Sequence, residues 1–116
     1  MSSIQDEFKP VLEALADKRG QDILIMDLSE TSSIAESFVM VTSNSDIHMK
    51  TLRDAAQECL DKMGIQSVME GQDSNQWCLI DGGYVVVHIF SRQGREFYHL
   101  EKTWADAPSK RYEYHD

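Results

Sequence analysis

Gly82-Gly83 lies between two apolar runs, one from Trp77 to Ile80 and one from Val85 to Phe90. A two-residue glycine link that tolerates positive φ, set between apolar runs, predicts a β-hairpin. With the turn on those glycines, Asp81 faces Tyr84, Leu79 faces Val86 and Trp77 faces His88. Side chains alternate along a strand. One hairpin face is then Cys78, Ile80, Val85, Val87 and Ile89, a core face. The other carries Trp77, Leu79, Asp81, Tyr84, Val86, His88 and Phe90. Polar and aromatic groups mixed on one face point to recognition more than to packing alone.

The same stretch runs on through Arg95-Glu96-Phe97-Tyr98-His99-Leu100-Glu101-Lys102-Thr103-Trp104. Both tryptophans and two of the four tyrosines fall between positions 77 and 104, so the aromatic surface of the chain is concentrated there. Tyr98, Leu100, Glu101 and Trp104 have two readings. Trp104 packs over a sheet edge, or the group forms a contact patch, since aromatics beside acids suit a protein-binding hot spot facing a basic partner.

A chain of 116 residues is long enough for one domain with its own core. Its 20 acidic and 11 basic residues give a formal charge of −9. Nucleic acid phosphate repels such a surface, so direct nonspecific RNA or DNA binding is not expected. A basic protein partner is compatible with it. The N-terminus has no basic start followed by an apolar stretch, so no signal peptide is expected. No run approaches the ~18 apolar residues of a membrane span. Cys59 and Cys78 have no metal spacing and read as free thiols of a cytoplasmic protein.

The pattern predicts a helix over residues 3–19, with Ile4, Phe8, Val11, Leu12 and Leu15 on one side. Pro10 either kinks it or lies in the first turn of a helix that starts there. Lys18 and Arg19 suit its C-terminus and Gly20 the position after. Ile23 to Leu28 and Phe38 to Val41 read as strands buried on both faces. Residues 29–35 read as a polar turn. Ser43-Asn44-Ser45-Asp46 offers N-cap chemistry for a helix whose stripe is Met49, Leu52, Ala56, Cys59 and Met63, ended by Gly64. Residues 65–70 read as a strand, 71–75 as a loop, and Ser91 as the cap of a short helix through Arg95. Residues 108–116 read as a loose polar tail after a single domain spanning 1–107. Helices alternating with strands, then a hairpin, predict an α/β fold with a mixed sheet flanked by helices.

Little in the chain points to catalysis. The four histidines show no metal-ligand spacing on one element, so no metal is expected. His88 is either a half-buried histidine satisfied by a neighbour or a contact residue. Cys59 and Cys78 fall on apolar faces and read as small hydrophobes. There is no nucleophile elbow and no phosphate-cradling glycine loop, so no cofactor is expected. Asp27, Glu30 and Asp81 are scattered and lack the clustering that holds metal ions for nucleotidyl transfer. Glu70 before Gly71 reads as an acid or as a solvated strand-end carboxylate.

A set of residues in order resembles one family, the ribosomal silencing factors, also called Iojap-like proteins. It starts with Asp22-Ile23 and Asp27-Leu28, then Phe38-Val39 with Ser43, Ser45 and His48. It continues with Glu70-Gly71, Trp77, Leu79-Ile80-Asp81, Gly83 and the run from Val85 to Phe90. It closes with Arg95, Phe97-Tyr98, Leu100-Glu101, Trp104 and Asp106-Ala107. The family usually has Thr-Asp before its Phe-like strand, where this chain has Ala35-Glu36-Ser37; it usually has Ser-Gly where this chain has Ser43-Asn44, and an acid after the turn glycine, where this chain has Tyr84. The resemblance implies a fold like that of nucleotidyltransferases without their metal carboxylates. It implies binding to the large ribosomal subunit through ribosomal protein number fourteen, which blocks joining of the small subunit and lowers translation when nutrients are short. It also implies dimers of some free members, and large-subunit assembly roles among organellar relatives.

The expectation is therefore a non-enzymatic silencing factor. Its partner surface is expected at Trp77, Asp81, His88, Tyr98, Glu101 and Trp104, with Glu70 and Arg95 as supports. A large-subunit assembly factor, and more remotely a nucleotidyltransferase-like enzyme, are the alternatives.

Overall fold

Two neighbouring parallel strands, β2 (Ser37–Ser43) and β5 (Val85–Ser91), set the layout. Parallel neighbours need a long crossover. Here it is α2 (Asp46–Lys62) followed by β3 (Val68–Glu70) and β4 (Trp77–Asp81). Ahead of them come α1 (Lys9–Asp17) and β1 (Gln21–Asp27). Behind them come α3 (Arg92–Tyr98), α4 (Leu100–Thr103) and β6 (Ser109–Arg111). This computed structural model describes residues 8–30 and 35–113. The six strands form one mixed sheet in the order β3-β4-β5-β2-β1-β6, with every pair except β2–β5 antiparallel.

Both sheet faces are covered, which is why the central strands read as continuous apolar runs. On one face α1 supplies Val11, Leu12 and Leu15, with Phe8 just before it, and α2 supplies Met49, Leu52, Ala56 and Leu60. They pack on the inward residues of β1, β2, β4 and β5, including Ile25, Val39, Ile80 and Val87. On the other face Leu24, Met26, Phe38, Met40, Val86 and Phe90 form a second core with Ala107. Trp77, Leu79, Leu100 and Trp104 pack against that second core.

Several expectations shift in register or extent. Pro10 sits in the first turn of α1, where its missing N–H costs nothing. The expected residues 3–7 of that helix lie outside the described ones. The left-handed residue after α1 is Arg19, with φ 66°, and not Gly20. In α2 the fully buried fourth position is Leu60, while Cys59 and Met63 lie at the flank. Ser45 caps α2, its Oγ accepting from His48 N at 3.0 Å. β3 begins only at Val68, because Ile65 N still bonds the Leu60 carbonyl at the helix end.

The hairpin register is a correction. The observed pairs are Trp77 with Phe90, Leu79 with His88 and Asp81 with Val86. Tyr84 belongs to the turn: its carbonyl accepts from Glu36 N and Ser37 N, at 2.9 and 3.0 Å, and so is turned away from β4. Asp81 Oδ1 accepts from Gly83 N at 2.8 Å, and Gly83 takes φ 86°. Each pairing therefore slips by two residues. An even slip leaves every side chain on its own face, so the division into two faces stands.

A second correction concerns residues 109–111 of the expected loose tail; its residues 114–116 lie outside the described ones. Ser109–Arg111 pair with Leu24–Met26 as β6. Asp27 N and Pro108 O meet at 2.7 Å, and Tyr112 N and Ile23 O at 2.9 Å. The outer edge of β1 needs hydrogen-bond partners, and any backbone supplies them. The β6 side chains are exposed, so their composition reads as a loop.

Candidate partner-binding surface

Part of the hairpin face that mixes aromatic and polar groups lies under α3 and α4. Ser91 caps α3, its Oγ accepting from Gly94 N at 2.9 Å. Gly94 is pressed onto the loop before β4, where a methyl group would fall on the Gln76 carbonyl oxygen. His99 then takes a left-handed conformation, φ 50° and ψ 47°, which turns the chain into α4. Two short helices thus roof one half of the face. The half toward β3 stays open, with Val68 63% and Tyr84 65% exposed.

Trp77, His88, Phe90 and Tyr98 gather under the start of this roof. Trp77 stacks on Phe90 with ring centroids 5.5 Å apart and an interplanar angle of 18°. Tyr98 lies 4.6 Å from the Trp77 ring and is 42% exposed. His88 is only 4% exposed, so it lies beneath this surface and not on it. Its Nδ1 accepts from Trp77 Nε1 at 3.1 Å, and the Phe38 ring is 4.5 Å away. Burial pushes the His88 imidazole down to about 4, with the Asp81 charge opposing. It is neutral at pH 7, which leaves its one proton on Nε2.

Arg95 and Glu101 form a clamp. Arg95 Nε and Nη2 donate to the two Glu101 carboxylate oxygens at 3.0 and 3.2 Å. Arg95 Nη1 donates to the Asp22 carbonyl at 2.7 Å and to Thr42 Oγ1 at 2.8 Å. The Arg95 hydrogen bond holds the Glu101 carboxyl below the usual range, against its burial. Bidentate geometry of this kind is directional. The pair ties α3 and α4 to the ends of β1 and β2, so Glu101 is already engaged inside the protein.

The remaining expected residues scatter along the same face. Trp104 is half-buried and meets Phe38 edge-on at 5.9 Å, so it packs over the second core. Asp81 is half-buried and serves the turn. Glu70 is exposed on the edge strand β3, opposite Leu79 and on the Trp77 face. The structure thus joins Trp77, His88 and Tyr98 in one cluster and Arg95 and Glu101 in another, and leaves Glu70 and Asp81 at the open edge.

Phe97, absent from the expected partner surface, is 77% exposed and lies edge-on to Tyr98 at 5.0 Å. Val68 was also missed. Large exposed apolar groups next to a predicted aromatic patch are the signal that could have found them. Among the described residues no three His, Cys, Asp or Glu side chains gather as a cation site. Burial raises the thiols of Cys59 and Cys78, as for unreactive packing cysteines. No helix among the described residues is long and apolar enough to cross a membrane.

A family model described as ribosomal silencing factor during starvation matches residues 1–116. The chain belongs to the ribosomal silencing factor family. It is 42% identical over 96 residues to the ribosomal silencing factor of Bacillus subtilis, covering 82% of this chain and 81% of that one. A crystal structure of a Chromobacterium violaceum protein, 34% identical, superposes with a TM-score of 0.82 over 90% of this chain and 88% of the other. A Bacillus halodurans structure, 27% identical, gives 0.78 over 91% and 97%. The silencing-factor match runs through the last residue, so it takes in β6 as well as the aromatic roof.

Proposed function

We propose that this chain binds the large ribosomal subunit through ribosomal protein number fourteen and sterically blocks joining of the small subunit, repressing translation when nutrients are short. Family membership supports the class of activity, and the relatives' names carry silencing. The observation that carries the choice of surface is the half-open aromatic cluster of Trp77 and Tyr98, extended by exposed Phe97. Glu70 and Asp81 lie on the same sheet face toward its open edge. An aromatic centre beside acids fits a basic ribosomal protein. In this reading Trp77, Tyr98, Glu70 and Asp81 touch the partner. His88, Trp104 and the Arg95–Glu101 clamp hold them in place. In this reading the sheet is a binding platform in the cytoplasm, with no catalytic step.

Purified large subunits with and without ribosomal protein number fourteen test the partner. Co-sedimentation should occur only with the protein present. Association should slow as salt rises, because exposed charges are screened over ~8 Å at physiological ionic strength. Equal binding to subunits lacking that protein refutes the proposed contact.

A further inference from the structure

His88 is a polar side chain in an apolar row. In the sheet it lies between Leu79 on β4 and Met40 on β2. Its ring is closely approached by Phe38. Its Nε2 is buried and has no hydrogen-bond partner among the described residues. Because Trp77 Nε1 donates to Nδ1, the proton of the neutral ring is on that unpartnered Nε2. A buried N–H without an acceptor is destabilising, and a leucine or methionine in this row would avoid it. The one hydrogen bond made by the His88 ring among the described residues goes to Trp77. Trp77 in turn has a single side-chain donor, and it is used inward.

We propose that His88 is a positioning residue for Trp77: by accepting the indole N–H it fixes the ring against Phe90 and Tyr98, so that Trp77 offers a partner carbon surface and no donor. The proposal rests on the reading of Trp77 as a partner contact. It specifies the chemistry of that contact. The group received is the aliphatic stem or the cation of a lysine or arginine lying on the indole, not an acceptor reaching for its N–H. A ring held in its bound orientation before the encounter loses less freedom on binding.

The test compares wild type, His88→Leu and His88→Asn. Asparagine places an oxygen near the Nδ1 position, and leucine removes the acceptor. Thermal unfolding, hydrogen exchange of the Trp77 indole N–H by NMR, and binding to purified large subunits are measured on each. We expect a protected indole in wild type and in His88→Asn. In folded His88→Leu the indole should exchange at least about tenfold faster and binding should weaken about tenfold. A folded His88→Leu protein that binds as wild type overturns the proposal and leaves the silencing reading intact. Should His88→Leu fail to fold, wild type and His88→Asn decide. A wild-type indole that exchanges as freely as an exposed one overturns it, and a protected indole with wild-type binding in His88→Asn upholds it. Wild-type protein that binds no subunits overturns the parent reading and this one with it.

Discussion

Replacing Arg95 by methionine keeps the stem of the side chain and removes its four hydrogen bonds. What is left behind sets the cost. The Glu101 side chain is 29% exposed, so its carboxylate loses a largely desolvated partner but regains some water. Breaking a fully buried pair costs ~3–5 kcal/mol; this exposure reduces it to about 2 kcal/mol. The Thr42 hydroxyl is buried and loses its donor, for about 1 kcal/mol more. The Asp22 carbonyl lies on an exposed residue and is rehydrated at little cost. The sum is about 3 kcal/mol. At ~2.1 cal/mol/K per residue of unfolding entropy, a chain of 116 residues should melt about 12 °C lower. Circular dichroism at pH 7 reads this directly. Glu101→Gln, which keeps one acceptor, should lose less than half as much. The double variant should show coupling, because the two residues share one contact. Glu101 has a depressed folded pKa, so its contribution is present above the unfolded value of 4.5 and is lost as pH falls through the folded value. The gap between Arg95→Met and wild type should therefore narrow in acid. An Arg95→Met protein melting within about 2 °C of wild type refutes the clamp as the tie between the roof and the sheet.

Three further outcomes follow from the same geometry. His88 binds its proton less tightly folded, at about 4, than unfolded, at 6.5; the unfolded chain takes up the extra proton between those values, so stability falls as pH drops through that window, by up to about 3 kcal/mol. Denaturant titrations from pH 7 to 4.5 should show this slope in wild type and lose it in His88→Asn, and an unchanged slope in the variant refutes the assignment. Gly94→Ala should destabilise by at least ~2 kcal/mol, because the added methyl meets backbone at Gln76 that cannot yield, and a normal melting curve would contradict that close approach. Asp81→Asn keeps an acceptor for Gly83 N and removes the charge, so it should melt normally and bind large subunits more weakly; lost stability with intact binding would make Asp81 a turn residue only.

The sheet and its helices were legible because their signals are local. Alternation in the hairpin, the Ser45 and Ser91 caps and the three-and-four spacing of α2 each act within one element. The hairpin register was not legible, since the Tyr84 carbonyl is claimed by Glu36 and Ser37, distant in sequence. β6 was missed because it contributes backbone, not side chains, to the edge of β1. Alternation separates the mixed face of the hairpin from its core face, but it does not say which polar members of that face are covered. Whether His88 meets a partner or lies under Trp77 depends on α3 and α4 folding back over it, and no periodicity within the hairpin carries that. The internal role of Glu101 is hidden in the sequence for the same reason: its engagement by Arg95 depends on the left-handed turn at His99.

Subunit joining measures the central claim most directly. Separated large and small subunits are mixed at joining-permissive magnesium, with increasing amounts of this protein preincubated on the large subunit, and joined ribosomes are followed by light scattering and gradient sedimentation. Joined particles should decrease in step with occupancy of the large subunit, with both subunits remaining intact. Full occupancy with undiminished joining would contradict silencing by steric block and would favour a role in large-subunit assembly.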